Sequence, residues 1–151
     1  MYAVEICHNG NSHAAVIKNC VADSSGGGIY CNGGFLKLND VVLENNQAAN
    51  DGGAIFTSAS SEFNNITVKD NQALEDGGGI IFKNPWNIQK ATISNSRIIG
   101  NIAHNGGGIY TYRSGEFYLN IHKTIIEKNI IDRSGRGMLL DDLESVLLDS
   151  V

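Results

Sequence analysis

The side chains able to do chemistry are few and scattered. Asp51 and Asp76 each stand just before a glycine run. If these positions stack, two carboxylates could share a Ca²⁺, which takes oxygen ligands; polar residues that simply open a turn account for them equally well. Asp141 and Asp142 are adjacent acids of the kind that work in pairs on glycosidic bonds. The histidines His8, His13, His104 and His122 show no metal-ligand spacing, and His104 reads as a solvated turn residue. Three cysteines, Cys7, Cys20 and Cys31, fall within the first 31 residues, an odd number that forbids complete internal pairing. Asn65-Ile66-Thr67 is an N-glycosylation sequon, informative only in a eukaryotic secretory setting. There is no nucleophile elbow, phosphate loop or CxxC. No metal or other cofactor is expected.

The elements that would position these groups come from an internal repeat. Gly26-Gly27-Gly28-Ile29-Tyr30 recurs as Gly52-Gly53-Ala54-Ile55-Phe56, Gly77-Gly78-Gly79-Ile80-Ile81 and Gly106-Gly107-Gly108-Ile109-Tyr110, and more weakly at Gly135 to Leu139. The Ile or Met position steps from 29 to 55, 80, 109 and 138, intervals of 26, 25, 29 and 29. Asn46, Asn71, Asn101 and Asn129 precede the runs by five or six residues, with Cys20 in the same place earlier. Ala22, Ala48, Ala73 and Ala103 follow two residues later. A third apolar segment, such as Phe35 to Leu38 or Phe117 to Ile121, completes each unit.

Three short strands per 25–29 residues predict an all-β, right-handed parallel β-helix of about five coils. The Gly runs precede a strand rather than opening a helix, so they are not phosphate cradles. Equivalent residues then stack about 4.8 Å apart. Ile17, Leu43, Val68, Ile98 and Ile126 form a lumen column, and Lys18, Glu44, Lys69, Ile99 and Glu127 point outward. Asn46, Asn71, Asn101 and Asn129 form an amide ladder at a buried corner. Gly27, Gly53, Gly78 and Gly107 are the expected turn glycines, chosen for positive φ. An offset of 24 residues puts Cys7 near the stack position of Cys31, where a disulfide could clamp the first coils; buried free thiols are the alternative. Two apolar columns are adjacent, Ile29, Ile55, Ile80, Ile109, Met138 and Tyr30, Phe56, Ile81, Tyr110, Leu139. Alternation lets only one face the lumen, so the second is expected to form an outward contact stripe.

The repeats resemble those of the chlamydial polymorphic outer membrane proteins, whose passengers carry GGAI and FxxN. GGAI stands intact at Gly52 to Ile55 and as GGGI three times, while FxxN is relaxed to Leu, Val or Ile at its first position. Related Gly-Gly-x-Ile repeats mark pectin-lyase-like β-helix proteins. The resemblance covers about residues 15 to 139 and implies a surface or secreted β-helix acting in adhesion or as a stalk.

Bulk numbers agree. Gly and Asn are 18 residues each of 151, poor helix formers both, while 42% hydrophobic content argues against disorder. The net charge of −5 comes without a basic stripe for nucleic acid, and no apolar run reaches the 18 residues of a membrane-spanning helix. Met1 to Ile6 lacks the basic, apolar pattern of a signal peptide. Residues 1–151 read as one β-helix domain, part of a larger protein or assembly, with 140–151 as a C-terminal cap. Asp141 and Asp142 fall at that edge, away from any groove, without the His, Arg and Lys of neighbouring coils that β-helix glycosidases need. The expected function is a non-catalytic extracellular or cell-surface module with a structural or adhesive role, contacting other subunits, the rest of a longer chain or carbohydrate. The alternative is a fragment of a polysaccharide lyase or glycoside hydrolase. Ice binding would need a flat Thr-rich face, which Thr57, Thr67, Thr92, Thr111 and Thr124 do not make.

Overall fold

The computed structural model describes residues 3–7, 14–84, 89–113, 116–135, 137–140 and 145–149. These residues form strands only, all paired in parallel, in three sheets. The long sheet runs through Ala3–Cys7, Phe35–Glu44, Ser60–Lys69, Gln89–Ser94, Phe117–His122 and Ser145–Asp149, with Ala15–Lys18, Arg97–Ile99 and Ile125–Glu127 extending its far half. A short sheet stacks Val21–Ala22, Gln47–Ala48, Gln72–Ala73, Ile102–Asn105 and Ile130–Ser134. A third stacks Ile29–Cys31, Ile55–Thr57, Ile80–Asn84, Ile109–Arg113 and Met138–Leu140. The fold is a right-handed parallel β-helix of about four turns, rather than the expected five. The difference lies at the ends, where the described residues supply only Ser145–Asp149 beyond the last full rung.

Each turn of chain is folded by residues in the left-handed region. One column is Asp40, Asn65, Asn95 and Lys123; a second is Asn19, Asn45, Asp70, Gly100 and Lys128; a third is Gly26, Gly52, Gly77, Gly106 and Gly135. Asn and Asp adopt positive φ more readily than other side chains, which accounts for part of the Asn excess. The third column corrects the choice of turn glycines. Positive φ belongs to the first glycine of each run, not to Gly27, Gly53, Gly78 or Gly107. Gly27, Gly53 and Gly78 are needed for space instead: a Cβ on Gly53 would lie 2.2 Å from the Gly78 carbonyl oxygen, and one on Gly27 2.2 Å from that of Gly53.

The lumen is filled from all sides. Leu36, Leu38, Val41 and Leu43 stack under Phe63, Ile66 and Val68, then Ile93 and Ile98, then Leu119 and Ile121. Ile29, Ile55, Ile80 and Ile109 close the core from the third sheet. Phe82 stacks between Phe63 and Phe117 at ring-centroid distances of 6.1 and 5.4 Å. Each fully buried side chain of this kind contributes about 1.5–3 kcal/mol relative to exposure.

The cysteines are not in the expected register. Cys7 lies opposite Asn39 in the long sheet, and Cys31 opposite Thr57 in the third sheet. The corner between Cys31 and Phe35 puts Cys31 on a different sheet from Asn39, the stack position of Cys7, so an offset of 24 does not stack them. Cys31 is a buried free thiol, pushed up in pKa by burial against an opposing Thr57 hydrogen bond. Cys20 is also free. The Cys7 side chain lies outside the described residues, as do His8, His13, Asp141, Asp142 and, within the expected cap, the rest of 141–144 with 150 and 151.

Candidate interaction surfaces

At the Asn corner, a ladder runs through four rungs. Asn71 Oδ1 accepts from the backbone N–H and Nδ2 of Asn46 at 2.9 and 3.0 Å. Asn101 Oδ1 does the same for Asn71, and Asn129 Oδ1 for Asn101, all at 2.9–3.0 Å. Each Nδ2 also donates to a carbonyl one rung below, at Ile17, Leu43, Val68 and Ile98. The backbone N–H of Cys20 donates to Asn46 Oδ1, but its thiol cannot extend the ladder.

Beside the glycine corner runs a polar column. Ser25 Oγ accepts from the Asp51 N–H, Asp51 Oδ1 from the Asp76 N–H, and Asp76 Oδ1 from Asn105 Nδ2. Lys83 Nζ sits 3.0 Å from Asp51 Oδ2 and 5.2 Å from the Tyr112 ring centroid. Burial raises the Asp76 carboxyl above its ordinary range; the Asn105 hydrogen bond opposes this and the Asp51 charge adds to it. The stacked acids are thus occupied: Asp51 by Lys83 and the Asp76 N–H, Asp76 by the Asn105 amide. No group of three or more metal-ligating side chains occurs among the described residues. Outward charges on the long sheet pair as well: Lys69 donates to Glu44 at 2.9 Å, which lowers the Glu44 pKa and raises that of Lys69.

The expected contact stripe is not an open surface. Tyr30 is 56% exposed, but Phe56 and Tyr110 are buried, Ile81 is 0% exposed, and Leu139 packs on them as a partly buried neighbour. Tyr30 stacks on Phe56 at 4.8 Å, 10° from parallel. The cause lies in the left-handed glycine four residues earlier. There the chain doubles back, so a Cβ on Gly77, Gly106 or Gly135 would lie 2.8, 2.7 or 2.6 Å from the Cβ of Ile81, Tyr110 or Leu139. The column fills a hollow in the outer wall as a second, smaller core.

The exposed apolar face is elsewhere. The residue after each ladder position points outward from the short sheet: Val21, Gln47, Gln72, Ile102 and Ile130. Val21 is 73% exposed, and Leu74, Ile102 and Ile130 are also exposed. Two adjoining shallow clefts follow this face, one of about 170 Å³ lined by Val21, Gln47, Gln72 and Leu74, the other of about 200 Å³ reaching Ile102, Ile130 and Asp132. His104 lies here on the strand Ile102–Asn105, not in a turn, with Nδ1 2.5 Å from Asp132 Oδ1. The sequence signal was available: the residue following the Asn column is apolar in three of five coils.

Comparison with known families gives a match to the Chlamydia polymorphic membrane protein repeat over residues 40–58. That stretch contains one ladder asparagine, Asn46, and one glycine corner, Gly52 to Ile55. No curated protein and no solved structure matches the chain.

Proposed function

We propose that this chain is a non-catalytic surface module with a structural and adhesive role, docking other protein subunits through the outer face of the short sheet. One observation carries the reading: Val21, Leu74, Ile102 and Ile130 expose apolar side chains along one face, over two adjoining clefts. Contiguous exposed apolar surface marks interaction sites. The repeat match to a surface-protein family and the β-helix fold support placing the module at a cell surface. Within the described residues no helix is long and apolar enough to cross a membrane.

The test is bead adhesion. Beads coated with the chain should bind cultured cells or the surface proteins extracted from them, and Leu74→Lys with Ile102→Lys should abolish binding without altering the far-ultraviolet circular dichroism. Unchanged binding by that variant would remove the short-sheet face from the proposal. Release of new reducing or unsaturated ends from polysaccharides would favour a carbohydrate-active enzyme instead.

A further inference from the structure

Beside the outward column that begins at Val21, two residues further along each rung, runs a second: Asp23, Ala49, Leu74, His104 and Asp132. Both columns line the two clefts of the short-sheet face. Their order along the coil is self-complementary. A half-turn about an axis parallel to the strands, passing between the rungs of Gln47 and Gln72, sets each column on itself in reverse order. Val21 then meets Ile102, and Gln47 meets Gln72; Asp23 meets His104, and Ala49 meets Leu74. Ile130 and Asp132 stand one rung outside the paired four.

Each pairing is chemically matched. Val21 and Ile102 bury apolar surface. The Gln47 and Gln72 amides each hold a donor and an acceptor for the other. His104 engages Asp132 through Nδ1 at 2.5 Å, and its imidazolium form offers Nε2 to Asp23 of the second copy. Leu74, 54% exposed, enters the cleft of about 170 Å³ lined by Ala22, Ala48 and Ala49, so large lies on small twice over. Other two-fold settings do not match. Half a rung later, Asp23 faces Asp132 and Gln47 faces Ile102. Rotation about the coil axis puts Val21 on Asp23 and Gln72 on Leu74. Like charges in contact and polar groups buried against apolar ones penalise both.

We propose that the short-sheet face is closed by a second copy of this chain in this two-fold setting, the coils running antiparallel. The inference rests on the docking reading of that face and names its occupant. Such an isologous contact uses one patch twice. Four rungs about 4.8 Å apart make a patch at the low end of specific interfaces, so association is expected on the order of tens of micromolar.

Sedimentation equilibrium, from about 1 μM to 1 mM, is the test. The chain should pass from one chain mass to two. Ala49→Leu sets leucine on leucine and should weaken association by roughly tenfold or more. Adding Leu74→Ala to it exchanges knob and hole and should restore association. A monomer throughout overturns the second copy, and so does growth beyond two chain masses, since an isologous contact closes. Unchanged association in Ala49→Leu, or a double variant no better than Ala49→Leu, overturns the setting. The bead assay separates this inference from the reading beneath it. A monomer whose bead binding is lost in Leu74→Lys with Ile102→Lys leaves the docking face with a different occupant. A dimer whose beads bind nothing leaves the second copy standing and removes the adhesive role.

Discussion

Two corners of the same coil solve the same problem by opposite means. At the Asn corner the chain turns around a side chain, and the amide of Asn71 makes four of the hydrogen bonds that hold adjacent rungs. At the glycine corner the chain turns by having no side chain, so that the backbone of Gly53 can approach those of Gly78 and Gln72. The first corner is held by attraction and the second by the removal of repulsion. An attractive corner can lose a partner and keep its shape; a steric corner has no smaller residue to fall back on.

The sharpest test of this contrast is Gly53→Ala. The added Cβ would lie 2.2 Å from the Gly78 carbonyl oxygen and 2.6 Å from the carbonyl carbon of Gln72, both backbone atoms. The expected loss exceeds about 4 kcal/mol, enough to remove the cooperative transition in urea for a domain of ordinary stability. Next comes Asn71→Ala, which strips partners from the Asn46 N–H and Nδ2, the Leu43 carbonyl and Asn101 Oδ1. A loss of about 3–4 kcal/mol with the fold retained is expected in the same denaturation. If Asn71→Ala proves the more damaging, the ranking of the two corners is wrong.

Cys20→Asn probes the attractive corner from the other direction. It places an amide one rung before Asn46, within the reach that the Cys20 N–H already uses. A gain of about 1 kcal/mol is expected, read as a higher urea midpoint with unchanged slope. Unchanged or lower stability would show that the ladder does not propagate from rung to rung. The smallest effect concerns Asp76, at the entrance to the glycine corner. Its folded pKa is raised above the ordinary 3.8 by burial. The folded state therefore holds this proton more tightly, and its contribution to stability falls as pH rises from 3.8 through the raised value. Asp76→Asn should keep an acceptor for Asn105, raise stability slightly near pH 7 and flatten that part of the pH profile. A thermal melt series from pH 3.5 to 7 would measure both.

Much of the coil was legible because stacking turns local preference into columns. The Asn and Ala positions, the lumen Ile column and the outward charges could be read from the repeat period. Side-chain polarity and the two-residue period of a strand determine all of them. What could not be read was backbone shape. The stripe through Phe56, Ile81 and Tyr110 obeys strand alternation and does point outward, yet the doubling back at the left-handed glycine buries it. Period alone cannot distinguish a flat outer wall from a hollow one. The turning glycine stands one residue before the expected one for the same reason: neighbouring glycines of a run look alike in sequence and differ only in φ and in contact with the next rung. The cysteine pairing failed because an offset near one repeat guarantees stacking only when both residues lie on the same sheet.

The rungs are also unequal in a way that bears on how such a chain can change over generations. From the stacked lumen positions Leu43, Val68, Ile98 and Ile126, the next strand begins at Gln47, Gln72, Ile102 and Ile130, four residues on in every case. The passage from the third sheet back to the long sheet is not constrained in this way. Thr57, Phe82 and Thr111 are stacked partners, as are Ser61, Ala91 and Leu119, yet the separations between them are 4, 9 and 8 residues. Length variation is thus concentrated where the third sheet returns to the long sheet, apart from the longer passage between Cys7 and Ala15 and the register shift after Ala103. Insertions there leave the rung-to-rung spacing of every other column untouched, so this edge can accept new sequence while the rest of the coil stays in register.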